Sequence, residues 1–187
     1  MKKQNVLVLL SGGMDSSACI EFYLRQKFKV EGLFINYGQI SAKKELTASK
    51  KIAKHYKILL NKVESKNLSR FSSGEIIGRN AFLLTTALLN FKKKNGIICI
   101  GIHDGTSYPD CSKKFIKDMQ EIFDIYKNGA IQIGVPFLDF KKIEIGAYCK
   151  NHKVPINYTY SCELGNKQPC GKCLSCKDLE IIYDSKK

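Results

Sequence analysis

The chain has 187 residues, 44% hydrophobic and 26% charged, enough for one domain with a proper buried core. Its formal net charge of +14 comes almost wholly from lysine, with arginine only at 25, 70 and 79, so a solvated basic surface is expected rather than a base-reading nucleic-acid face. No apolar run reaches membrane-spanning length, and the run behind Lys2-Lys3 is too short for a signal peptide. These features predict a cytoplasmic protein with no membrane partner.

In chain order, Asn5–Leu10 is a run of Val and Leu that suits a strand buried on both faces of a parallel sheet. Ser11-Gly12-Gly13 breaks that run. Asp15-Ser16-Ser17 then offers side-chain caps for a helix over Ala18–Lys27. A strand, a glycine turn and a helix N-terminus together form an anion nest, for which phosphate is the natural occupant. The loop is neither a Walker A motif nor a Gly-x-Gly-x-x-Gly fingerprint, because the residues that complete those motifs are absent.

Val30–Asn36 is the second expected strand, closed by Tyr37-Gly38-Gln39. A helix over Ser41–Tyr56 follows, with Leu46, Ile52 and Ala53 facing inward, and a third strand over Lys57–Val63. Ser65–Glu75 is polar and predicts a loop. Asn80 is placed to cap an apolar helix over Ala81–Lys93, which Asn95-Gly96 stops. Ile97–Ile102 is the next buried strand, and the loop His103–Cys111 leads to a helix over Lys113–Tyr126. Ile131–Pro136 and Lys141–Lys150 complete the alternation as strand and helix. The pattern predicts an α/β fold with a doubly wound parallel sheet, whose ligands bind beyond the carboxyl ends of the strands.

Eight cysteines in a cytoplasmic chain argue against a disulfide framework. Four are dispersed, at 19, 99, 111 and 149. The others form Cys162-x7-Cys170-x2-Cys173-x2-Cys176, a spacing that suits tetrahedral zinc in a short knuckle. The same spacing leaves an iron–sulfur cluster or redox-active pairs open. The expected division is a nucleotide-binding α/β domain over 1–158, with a metal-knuckle segment over 159–187 packed on it.

The string Ser11-Gly12-Gly13-Met14-Asp15-Ser16 resembles the SGGxDS loop of the PP-loop ATP pyrophosphatases. Further segments narrow the resemblance to the 7-cyano-7-deazaguanine synthases. These are Phe34–Gln39 with its Tyr-Gly-Gln turn, Gly78-Arg79-Asn80, and Tyr108-Pro109-Asp110-Cys111 leading into Lys114-Phe115. Val135-Pro136-Phe137 with Lys141-Lys142, and Thr159-Tyr160-Ser161-Cys162 through Cys176, extend it over nearly the whole chain.

The resemblance implies an ATP-dependent carbon–nitrogen ligase that turns 7-carboxy-7-deazaguanine and ammonia into the nitrile through an adenylated carboxylate and an amide. ATP, Mg²⁺ and zinc are the implied cofactors, and a homodimer the implied assembly. The segment from Leu10 through Met14 to Ser17 would hold the nucleotide, with Ser11, Gly12, Gly13 and Ser16 on its phosphates. Asp15 would ligate Mg²⁺ or cap the helix, and Asp15, Ser16 and Arg79 are the expected catalytic residues. Arg79 and Asn80 would meet the substrate, Tyr108 would stack on its base, and Asp110 would accept its ring and amino N–H groups. The structural zinc would sit on Cys162, Cys170, Cys173 and Cys176. His55, His103 and His152 form no metal or catalytic spacing, and for Cys111 a packing or capping role is expected over a nucleophilic one.

Two departures stand out. Ile40-Ser41 occupy the place of an Arg-His pair, and the stretch between Val63 and Gly78 is short. They leave open a related enzyme that adenylates a deazaguanine and conjugates it to protein or nucleic acid, and the basic charge separately leaves a tRNA-modifying PP-loop enzyme as an alternative.

Overall fold

The computed structural model describes residues 4–65, 71, 74–103 and 108–184. Parts of the loops expected over Ser65–Glu75 and His103–Cys111, and the last three positions of the C-terminal segment, lie outside the described residues.

Five parallel strands form one sheet: β1 Asn5–Leu9, β2 Lys29–Asn36, β3 Leu60–Glu64, β4 Gly96–Cys99 and β5 Ile131–Gly134, in the order β3-β2-β1-β4-β5. Val6 of β1 pairs with Val30 on one side and Ile97 on the other, so β1 is central and its apolar sequence follows from burial on both faces. Val6, Val8 and Leu10 point to one layer, which holds helices α1 (Met14–Arg25), α2 (Ala42–Tyr56) and α5 (Lys142–Asn151). Leu7 and Leu9 point to the other, which holds α3 (Arg79–Asn90) and α4 (Lys113–Lys127). The sheet is therefore doubly wound. Its strand order reverses between β1 and β4, where the fold leaves a crevice.

Several boundaries differ from expectation. α1 begins at Met14, and Gly13 is its N-cap with no side-chain cap bond. Ser16 and Ser17 lie inside the helix, where their hydroxyls donate to Gly13 O at 3.1 and 2.8 Å. Asp15, in that first turn, is not a cap either. α3 starts at Arg79 because Gly78, with φ +74°, makes the turn into it, so Asn80 is a buried residue of the first turn and not the cap. Lys57 closes α2 in the left-handed region, which delays β3 to Leu60. Within α2, Ala48, Ser49, Ile52 and Ala53 are buried, while Leu46 is half-buried.

A helix not foreseen from the sequence, α6 (Leu174–Asp184), grows out of the cysteine-rich segment. It packs on α5, and its Ile182 joins the core beside Ile145 and Cys149. Among the described residues, no helix is long and apolar enough to cross a membrane.

Candidate active site and metal centre

Gly12 sets the shape of the loop after β1. Its φ is +84°, and a Cβ there would lie 2.6 Å from Glu45 O and 2.9 Å from Ala48 Cβ, so the loop rests directly on α2. Ser49 Oγ of α2 donates to Leu10 O at 2.9 Å. On the far side, Gly101 lets the chain leaving β4 run against the first turn of α1, since a Cβ would meet Ser16 N at 2.9 Å. Tyr160 N–H closes the arrangement by donating to Gly12 O at 2.8 Å. Ser11 Oγ lies 3.2 Å from Ser16 Oγ and accepts the Gly13 N–H at 3.3 Å. The first-turn N–H groups of α1 lack helical acceptors and carry the positive end of its dipole, so the loop can receive an anion.

Asp15 does not face this positive end alone. Lys142 Nζ, from α5, lies 2.7 Å from both Asp15 carboxylate oxygens, and the two side chains are only 21% and 16% exposed. The pair brings a fixed, near-neutral carboxylate and ammonium to the edge of the loop.

The crevice at the strand-order reversal is a cleft of about 270 Å³. Leu10, Ser11, Gly13, Met14, Asp15 and Ser16 line it; Gly12 and Ser17 stand behind them. Arg79, Asn80 and Tyr108 also line it, so the cleft brings together the residues expected to hold nucleotide and acceptor, other than Gly12, Ser17 and Asp110. Asp110 is not among the lining residues. Its Oδ2 accepts the Asn80 N–H at 3.2 Å and its carbonyl accepts Asn80 Nδ2 at 3.0 Å, which makes it a partner of the α3 N-terminus. Arg79 Nε in turn donates to Asn80 Oδ1 at 3.3 Å.

Sequence reasoning gave no role to Glu45, His103, Glu163 or Asp178, which also line the cleft. Glu45, on α2, accepts from Gln39 Nε2 at 2.8 Å and Ser41 Oγ at 2.6 Å. Burial raises its carboxyl above the ordinary range, against those two hydrogen bonds. Ser41 thus turns inward to Glu45, while Ile40 is 44% exposed. Burial and Glu45 raise the Tyr37 hydroxyl, opposed by the positive Arg79 guanidinium. His103, assigned no role from sequence, is buried and lines the cleft, as do Lys142, Tyr160, Glu163 and Asp178. Burial raises the Asp178 carboxyl, opposed by Lys142 and His103. Two signals in the chain could have pointed to members of this set. Glu45 lies one helical turn after Ser41, and Glu163 adjoins Cys162. Cys111 is half-buried at the rim, 3.7 Å from Asn80 Nδ2.

The four C-terminal cysteines converge. The Sγ atoms of Cys162, Cys170, Cys173 and Cys176 all lie within 4.8 Å of one another, and Cys170 and Cys176 are 3.8 Å apart. A single tetrahedral ion with metal–sulfur bonds of about 2.3 Å separates its sulfurs by about 3.8 Å, so the group can hold one metal ion. Backbone N–H groups of Cys173 and Lys172 point at Cys170 Sγ from 3.3 and 3.4 Å and lower its thiol to about 6. Burial pushes Cys176 up to about 12.

A parallel sheet ordered 3-2-1-4-5, with an SGGxDS loop between its central strand and α1, defines a PP-loop α/β protein. The fold is shared with NMN synthetase from Francisella tularensis (TM-score 0.57, 13% identity, covering 99% of this chain and 78% of that one). It is shared also with a predicted tRNA methyltransferase subunit from Methanocaldococcus jannaschii (TM-score 0.51, 18% identity, 88% and 94% covered). In sequence, the family model described as queuosine biosynthesis protein QueC matches residues 5–77 and 71–183. The curated 7-cyano-7-deazaguanine synthase of Prochlorococcus marinus strain AS9601 is 32% identical over 98% of this chain and 95% of its own length. The synthase of strain MIT 9312 is 31% identical over the same shares. The chain belongs to the QueC family of 7-cyano-7-deazaguanine synthases, and is an ATP-dependent enzyme of that type acting in queuosine biosynthesis.

Proposed function

We propose that the protein uses ATP to convert 7-carboxy-7-deazaguanine and ammonia into 7-cyano-7-deazaguanine. The observation that carries this reading is one cleft lined by both an anion-binding loop and Arg79. A carboxylate becomes a good electrophile only once its oxygen is made a leaving group, and such a cleft brings the carboxylate to the α-phosphorus. The triphosphate lies over the first turn of α1, where Ser11 and Ser16 offer hydroxyls and the backbone offers N–H groups. Mg²⁺ supplies neutralisation of the triphosphate when bound, and Asp15 is the carboxylate that would hold it. Lys142 is the ammonium beside the same phosphates. Arg79 takes the acceptor carboxylate through its planar fork, Tyr108 gives the base a ring face, and Asp110 acts through Asn80 by fixing the start of α3.

The acceptor carboxylate oxygen bonds to the α-phosphorus and the α–β P–O bond breaks, releasing pyrophosphate. Ammonia adds to the acyl carbon and AMP departs, leaving the amide and a proton. The amide oxygen then attacks the α-phosphorus of a second ATP, whose α–β P–O bond breaks to release a second pyrophosphate. Loss of AMP and the two nitrogen-bound protons then leaves the nitrile.

The four-cysteine group fits zinc. A four-iron cluster binds each cysteine on a different iron and spreads the sulfurs farther than the compact set observed. A closed four-thiolate ion has no open position for substrate, so it holds the segment in place. A homodimer in the cytoplasm completes the reading.

The test is ATP turnover with 7-carboxy-7-deazaguanine and ammonium, with mass spectrometry of the products. The nitrile together with AMP and pyrophosphate is expected. ATP bound without nitrile would overturn the assignment of the acceptor and redirect the search to protein or nucleic-acid acceptors.

A further inference from the structure

Glu163 belongs neither to the nucleotide loop nor to the metal ligands, yet it touches both ends of the site. It follows Cys162 directly, and its Oε1 accepts the Ser175 N–H at 3.2 Å and the Ser175 hydroxyl at 2.9 Å. Ser175 stands between Cys173 and Cys176, so this oxygen is held entirely by the knuckle. The other oxygen, Oε2, accepts the N–H of Gly74 at 3.0 Å, across 89 positions of sequence. Gly74 has φ +102°, a conformation that side-chain-bearing residues rarely adopt. Gly74, Ile76 and Arg79 all line the cleft. Glu163, Arg79, Tyr37 and Tyr108 all line this one cleft.

We propose that Glu163 is a positioning residue that ties the four-cysteine knuckle to segment 74–78, so that filling the metal site sets the cleft wall leading into Arg79 and Asn80. The carboxylate is a rigid link because three donors fix it, two from one end and one from the other. Its knuckle end depends on Cys162 and Ser175 keeping their spacing, which one ion shared by Cys162, Cys173 and Cys176 would hold. The other end restrains the backbone ahead of α3. The metal thus acts on acceptor binding at a distance, without an open coordination position.

The test compares amide hydrogen exchange at residues 74–78 in three samples: metal-loaded wild type, wild type stripped with a chelator, and metal-loaded Glu163→Gln. Losing one charge-assisted hydrogen bond should speed exchange there about tenfold or more in both altered samples. Metal content of the variant should be unchanged. Because the acceptor site is that of the proposed synthase, the KM for 7-carboxy-7-deazaguanine should also rise about tenfold in Glu163→Gln, with the KM for ATP unchanged. Protection at 74–78 that survives in either altered sample overturns the proposal. The stripped wild type decides between the two outcomes even if the variant fails to fold or to hold metal. Exchange does not depend on the acceptor's identity, so a wild type that makes no nitrile refutes the functional reading alone.

Discussion

Replacing Gly12 with alanine puts a methyl carbon 2.6 Å from Glu45 O, 2.9 Å from Ala48 Cβ and 3.0 Å from Ser49 Oγ, all on α2. The first of these is helix backbone, which cannot turn away as a side chain would. The left-handed φ of +84° adds its own cost. About 1–2 kcal/mol comes from the backbone conformation, and about 1–3 kcal/mol from overpacking against α2. The expected loss is thus about 2–5 kcal/mol, which for a domain of this size lowers Tm by roughly 4–20 °C. Gly13→Ala is the internal control. Gly13 has φ −81°, and a Cβ there finds its nearest neighbour, Ser11 Oγ, at 3.5 Å. Alanine at 13 should leave stability unchanged or raise it by up to about 1 kcal/mol, by restricting the unfolded chain. Urea unfolding and calorimetric melting of the two variants read the difference. Equal losses at 12 and 13, or a Gly12→Ala protein as stable as the wild type, would refute the account of how α2 shapes the loop.

Two other features make sharp expectations. Lys142→Met leaves the half-buried Asp15 carboxylate without its partner and should cost about 1–3 kcal/mol; adding Asp15→Asn should restore part of that loss in urea unfolding, whereas additive losses would show that the pair is not coupled. In chelator-treated protein, the Cys170 thiol, lowered to about 6, is mainly thiolate at neutral pH. Iodoacetamide at pH near 7 should therefore label Cys170 well before Cys176, the preference should fade as the pH drops below about 6, and reloading metal should block it; equal labelling by mass spectrometry would contradict the N–H···S geometry.

Local signals make part of this site legible in the sequence, and long-range contacts hide the rest. The Val/Leu run of β1, the glycine break and the helix after it are consecutive, so sequence alone locates the loop and the sheet class. The cysteines also lie close in sequence, and their convergence follows from spacing. Asp15 shows the limit. As a residue after a glycine turn it looks like a cap, but its partner Lys142 lies 127 positions away on α5. Asn80 looks like a cap for the same local reason, and Gly78 takes over the turn. Asp110 follows a Tyr-Pro pair and looks free to meet a base, but α3 supplies it with an N-terminal N–H. Glu45, His103, Glu163 and Asp178 reach the cleft from separate elements, and only the packing of those elements shows that they share a space.

The bond from Tyr160 N–H to Gly12 O has a consequence for synthesis of the chain. The loop emerges from the ribosome before Tyr160, so one of its carbonyls waits for a donor made only after all five described strands. Domains fold as units once enough of the chain is out. A nascent chain would thus carry the glycine loop and all five described strands before that loop is closed. Chains cut short before residue 160 would keep every strand of the sheet and still lack that closure. The loop after β1 is therefore closed only by a segment that follows the whole described sheet.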